Sequence, residues 1–205
     1  MIESFDNSLQ IIVLLICASI ALYKAITQHS QTWVLAFLFF GSWVLGDIYW
    51  LVCLLFYGKT PQISIVSDLS WYASYIFLYL LLYHRSAPDK ESIKHLIPWL
   101  GPIFAAGMAI FFMQWGEILS NLIYASLMGL LLFAALRRKI DRRRYRNQHF
   151  LSGMILLFCL LEYGLWTASC FWSSDTLSNP YYWFDFLLTL SFIFLLPAIK
   201  KAVTE

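Results

Sequence analysis

The stretch WVLAFLFFGSWVLGDIYWLVCLLFY, residues 33–57, holds one charged side chain, Asp47, in an otherwise apolar and aromatic run. Crossing ~30 Å of hydrocarbon takes about 20 such residues, so this run predicts a membrane-spanning helix. A carboxylate near the bilayer centre costs at least ~2.5–3.5 kcal/mol on insertion scales. Asp47 is therefore expected to face a protein interior, a partner or water, and the fold has to supply one of them.

The rest of the chain reads the same way. Further apolar runs lie at about 9–27, 69–83, 95–113, 118–136, 150–172 and 181–199, which with 33–57 makes seven spans. Of 205 residues, 60% are hydrophobic, 19% aromatic and only 13% charged, where a soluble domain carries roughly 25% charge. Too little polar surface remains to cover a water-soluble globule. The expected fold class is all-α integral membrane, one seven-transmembrane-helix bundle over residues 1–205. Pro98, Gly101 and Pro102 interrupt the fourth run and predict a kink there. Acidic Glu3 and Asp6 before the first run, with no small-residue cleavage pattern after it, argue against a cleaved signal peptide.

Basic residues orient the bundle. Lys24, then Arg85, Lys90 and Lys94, then the cluster from Arg137 to Arg146, then Lys200 and Lys201 all fall on alternate connections, leaving Lys59 alone opposite. The expectation is an N-terminus outside, a cytoplasmic C-terminus and a location in the plasma (inner) membrane.

With that orientation the intramembrane acids gather. At ~1.5 Å rise per residue, Asp47 lies ~21 Å and Glu162 ~18 Å above the cytoplasmic ends of their helices, and Asp185 lies ~6 Å below the outer end of its own. Asp68 opens the third span at the outer rim. Residues at i±3 and i±4 share a face, which puts Trp43 and Trp50 beside Asp47, Trp166 and Ser169 beside Glu162, and Tyr181 and Thr189 beside Asp185. Tyr72, Tyr75 and Tyr79 continue the stripe that Asp68 begins. Carboxylates among indoles and phenols suit a cation by charge and by π-face attraction. The expected ligand site is one outward-facing pocket of Asp47, Trp50, Asp68, Tyr72, Tyr75, Glu162, Trp166, Tyr181 and Asp185, receiving a small cationic or amphipathic ligand. Trp71, Trp172, Tyr182 and Trp183 are expected in the interfacial belt, where Trp and Tyr are enriched.

Other features carry less. His29, His84, His95 and His149 sit near the cytoplasmic ends of four elements, none at ligand spacing from another, so no metal or cofactor is expected. Cys17, Cys53, Cys159 and Cys170 lie in apolar runs and are assigned no chemistry. Arg137, Arg138, Arg142, Arg143, Arg144 and Arg146 are expected to rest on anionic lipid or to dock a cytoplasmic partner, and not on nucleic acid. No G-x-S-x-G, H-E-x-x-H, phosphate-binding glycine loop or Schiff-base lysine in the last span occurs.

Gly46-Asp47-Ile48-Tyr49-Trp50, an outer loop with Pro61, and Ser67-Asp68-Leu69-Ser70-Trp71-Tyr72 leading to Tyr75 resemble the multi-span sensor regions that precede bacterial GGDEF output domains. In those regions a Gly-Asp ends one helix and a Ser/Ala-Asp opens the next. That resemblance covers about forty residues and implies a sensory role. No output domain is expected after Ala202, a departure from that pattern, so the expectation is that a signal passes to a separate partner. Leu45-Gly46-Asp47 is also similar to a tripeptide of the YhhN-like lysoplasmalogenase family. This second resemblance implies an intramembrane lipid hydrolase with Asp47, and Glu162 beside it, as catalytic acids. A proton- or cation-coupled transporter is the third expectation, since buried acids also form proton relays.

Overall fold

The computed structural model describes residues 2–61, 65–84, 96–140 and 148–203. Its elements are seven α-helices: α1 (Ile2–Gln28), α2 (Gln31–Tyr57), α3 (Ile65–His84), α4 (Leu100–Phe112), α5 (Ile118–Ile140), α6 (Gln148–Phe171) and α7 (Pro180–Val203). Six are long and apolar enough to cross a membrane, and α4 with the 3₁₀ turn before it is a shorter apolar helix, Ile97–Phe112. The protein is a multi-span helical membrane protein.

The fourth span differs from its expectation. Pro98 lies within a 3₁₀ turn, Ile97–Trp99, and α4 begins after it at Leu100. Pro102 follows in the first turn of α4, where a missing N–H forfeits no helical hydrogen bond. The prolines therefore set the start of a 13-residue helix, ~20 Å long, in place of a kink within a full-length span. At the other end of the chain, Asn179 and Pro180 open α7 with an N-cap: the Tyr181 backbone N–H donates to Asn179 Oδ1 at 2.9 Å.

Six helices form a ring in the order α1, α2, α3, α5, α6, α7, closing back on α1, while α4 packs outside it on α5. Small residues make the α4–α5 seam, as in membrane helix pairs whose backbones approach closely. A Cβ added at Gly101 would lie 2.6 Å from Leu132 Cβ and 3.0 Å from its backbone carbon. Aromatic rings tie α4 to α6, with Phe104 and Tyr163 centroids 5.1 Å apart.

The centre of the ring is aromatic. Phe39 and Phe40 of α2, Phe158 of α6 and Phe192 of α7 are fully buried. Trp43 meets Phe158 edge-on at 5.4 Å and Phe192 at 5.1 Å. Hydrocarbon offers no hydrophobic contrast between helices, so ring packing of this kind supplies cohesion through dispersion and quadrupole geometry.

One expectation about the basic end is corrected. Arg138 is buried, not presented to lipid or a partner: Nε donates to Gln148 Oε1 at 3.0 Å, and its terminal nitrogens donate to Ala134 O at 3.2 Å and Leu82 O at 2.6 Å. Leu82 lies in the last turn of α3, where carbonyls lack helical donors, and the guanidinium fork reaches its oxygen, pinning α3, α5 and α6 together. Arg142, Arg143, Arg144 and Arg146 lie outside the described residues, as do Arg85, Lys90, Lys94 and His95.

Replacing Gly101 by Val should lower the stability of the purified protein by about 1–3 kcal/mol through overpacking. Gly107→Ala, whose added Cβ meets nothing within 4 Å, should leave it unchanged; thermal unfolding in detergent compares the two.

Candidate functional site

The site is built at one end of the ring. A cavity of about 580 Å³ opens there, between the first turns of α1, α3, α5 and α7 and the last turns of α2 and α6, with the α4–α5 turn at Trp115 and Gly116 on its rim. These ends can meet only if successive helices alternate in direction. All nine expected residues (Asp47, Trp50, Asp68, Tyr72, Tyr75, Glu162, Trp166, Tyr181 and Asp185) line this cavity. Tyr79 does not; one turn further down α3, it stacks on Tyr83 with centroids 6.2 Å apart.

The three deep acids are buried and tied down. Asp47 and Glu162 are each 2% exposed and Asp185 5%. Trp71 Nε1 donates to Asp47 Oδ1 at 3.0 Å, bridging α3 to α2. The Tyr75 hydroxyl donates to Glu162 Oε2 at 2.8 Å, bridging α3 to α6. Gln10 Nε2 donates to Asp185 Oδ1 at 2.7 Å and to Thr189 Oγ1 at 3.1 Å, bridging α1 to α7. A buried carboxyl left without donors would bear its full desolvation cost, so each acid selects a polar partner on a neighbouring helix.

Local sequence makes the first bridge possible. A Cβ at Gly46 would stand 2.7 Å from Trp71 Nε1. Glycine there lets the indole lie against α2 and reach the carboxylate of the next residue. The Gly-Asp pair thus acts as one unit, a recess followed by an acceptor. Trp71 is accordingly no belt residue, and Tyr182 is not one either: it is buried, with its hydroxyl donating to Asp175 Oδ1 at 3.0 Å. Trp172 lines the cavity as well, while Trp183 stays exposed as expected.

The site includes residues that the sequence reading left out. Glu3, Asn7 and Gln10 of α1 line the cavity, and Trp50 Nε1 donates to Glu3 Oε1 at 3.2 Å. Asp6, fully buried, lies against Asp185. A start of the first span at Leu9 hid Glu3, Asp6 and Asn7; the helix begins at Ile2, and Glu3, Asn7 and Gln10 follow at helical spacing on one face. That spacing was the available signal. Tyr124 of α5 and Trp43 of α2 complete the inner wall.

Electrostatically the cavity has one sign. Glu3, Asp47, Asp68, Glu117, Glu162 and Asp185 line it, and no Lys, Arg or His is among the lining residues described. On its inner side lie the fully buried Phe39, Phe40, Phe158 and Phe192, with Trp43 of the cavity wall packed on Phe158 and Phe192. Such a chamber suits holding a positively charged guest against carboxylates and ring faces.

Trp71→Phe should lower stability by about 1–3 kcal/mol, because it strips Asp47 of its donor. In an Asp47→Leu background the same change should cost clearly less, and equal costs in both backgrounds, measured by thermal unfolding, would deny the bond its role. No protein-family model, curated protein or solved structure matches this chain.

Proposed function

We propose that the protein is a ligand-binding, sensory membrane protein whose cavity receives a small organic cation from outside the cell. The observation that carries this reading is the lining itself: six carboxylates, six tryptophans and no cationic side chain among the lining residues described, around about 580 Å³. Clustered acids repel one another in a low-dielectric setting, and a bound cation relieves that repulsion while its apolar parts rest on the rings.

The orientation supports an extracellular opening. Lys24, Arg137, Arg138, Lys139, Lys200 and Lys201 sit toward the helix ends remote from the cavity, and positive residues favour the cytoplasmic side. In this arrangement α4 crosses most of the bilayer as the seventh, shorter span, and the membrane is the plasma membrane. Helices α3 and α6 carry cavity residues at one end and are pinned by Arg138 at the other. They are the natural route for a ligand-dependent shift to reach a cytoplasmic partner. The packed rings of Phe39, Phe40, Phe158 and Phe192 beneath Trp43 favour a binding site over a through-going transport path.

A membrane-impermeant thiol reagent applied to intact cells should label Thr176→Cys above the native background and leave Lys201→Cys unlabelled; the reverse pattern would invert the topology. For binding, Asp47→Asn, Glu162→Gln and Asp185→Asn should each insert normally yet lose most of the thermal stabilisation that a panel of small organic cations gives the unmodified protein. Unchanged stabilisation in all three variants would remove the pocket reading. Turnover of lysoplasmalogen by the purified protein, abolished by Asp47→Asn, would instead move the assignment to a lipid hydrolase.

A further inference from the structure

Each deep acid carries a ring one turn nearer the cavity mouth. Trp50 lies three residues beyond Asp47 on α2, Trp166 four beyond Glu162 on α6, and Tyr181 four before Asp185 on α7. These spacings put each ring on the same helical face as its acid. Trp71 adds a ring from α3, one turn nearer the mouth than Tyr75, with its centroid 5.8 Å from that of Trp50. All four rings line the cavity and are partly exposed, while Asp47, Glu162 and Asp185 beneath them are buried.

The hydrogen-bonding groups of this wall are already engaged within the protein or out of reach. Trp50 Nε1 donates to Glu3 and Trp71 Nε1 to Asp47, while the Tyr72 and Tyr75 hydroxyls donate to Ser120 O and Glu162. The second oxygen of Asp47 and the Tyr124 hydroxyl are sealed from any occupant. A guest in this layer therefore meets ring surface, with Glu3, Asp68 and Glu117 accessible on the lining to supply negative charge. A primary ammonium carries three N–H donors and gives up its water against such a wall without replacement. A quaternary ammonium has no N–H to satisfy, and aromatic surface attracts its charge directly.

Resting on the binding reading above, we propose that the ligand carries a quaternary ammonium group, a trimethylammonium head of the choline type, held in the layer of Trp50, Trp71, Trp166 and Tyr181. A bare metal ion is a poorer match, since among the described residues no group of three or more His, Cys, Asp or Glu is placed to hold one. The same lining argues against an anion attached to the head. No Lys, Arg or His is among the lining residues described, so a phosphate beside the trimethylammonium finds no cationic side chain. A free cation is thus favoured over the phosphocholine headgroup of a lipid. The cavity, at about 580 Å³, lies within the ~300–1,000 Å³ usual for small-molecule pockets.

The test uses the full chain in phosphatidylglycerol nanodiscs, which contain no choline headgroups. It is titrated calorimetrically with choline, tetramethylammonium, ethanolamine, glycerophosphocholine and dimethylbutanol, the uncharged carbon analogue of choline. Choline should bind about ten-fold or more tightly than ethanolamine, a difference of about 1.4 kcal/mol or more, and dimethylbutanol more weakly still. Trp166→Leu and Trp50→Leu keep an apolar side chain but remove the ring, and each should weaken choline by about five-fold or more and ethanolamine by a clearly smaller factor. The unfolding temperature of each variant without ligand reports whether the fold survived, and the comparison of ligands on the unmodified chain stands without the variants. Glycerophosphocholine binding more tightly than choline would support the trimethylammonium head and make its source a lipid; weaker binding would support a free cation. Ethanolamine binding as tightly as choline, or both variants leaving choline unchanged, would overturn the quaternary assignment and leave the cation pocket standing. Dimethylbutanol binding as tightly as choline, or binding by none of the five, would overturn the quaternary assignment and the cation pocket together.

Discussion

The structure is governed by the cost of placing carboxyl groups inside a membrane protein. Asp47, Glu162 and Asp185 lie on three helices, and each is held by a donor from another helix: Trp71, Tyr75 and Gln10. Because a carboxyl buried without donors is far more costly than one that is bonded, these bridges restrict how α1, α2, α3, α6 and α7 can be arranged. Dispersion between apolar helices has no such selectivity, since lipid tails pack nearly as well as leucine. The polar bridges therefore give the ring its order, and the aromatic centre gives it cohesion.

The two ends of the bundle are built on different physics. At the cavity end, acids and rings surround open space, and backbone caps such as Asn179 and Asn121 finish the helices around it; Asn121 Nδ2 donates to Phe112 O at 2.8 Å. At the far end a single guanidinium, Arg138, fills its surroundings and closes the carbonyl end of α3. One end gathers acids and rings around a cavity, while the other holds a guanidinium that donates through each of its three nitrogens. α3 shares in both ends through Trp71 and Tyr75 in one half and Leu82 in the other.

Much of this was legible along the chain. Seven apolar runs, a basic bias on alternate connections and acids at matched depth are one-dimensional properties, because the bilayer imposes a fixed length and a fixed polarity profile on each span. The nine residues expected to share one pocket, all of which line the cavity, were grouped from helical periodicity and depth alone. Where that reading erred, the cause was local. Prolines that looked like a kink became the start of α4, since a first-turn proline loses no hydrogen bond. Trp71 and Tyr182 looked like belt residues because depth alone does not say which way a ring faces. Glu3, Asp6 and Asn7 fell outside the first apolar run because hydropathy marks where a helix becomes apolar, not where it begins.

The sequence by itself determined that this is a multi-span helical membrane protein and which of its residues share a helical face, because span length, charge bias and a 3.6-residue period need no knowledge of neighbouring helices. Only the tertiary structure decided the ring order with α4 outside it, the pairing of each acid with its donor, and the inward turn of Arg138. Those features depend on rotation of each helix about its axis and on which helices meet. Such choices are settled by side-chain packing and hydrogen bonding across interfaces, which no single helix encodes.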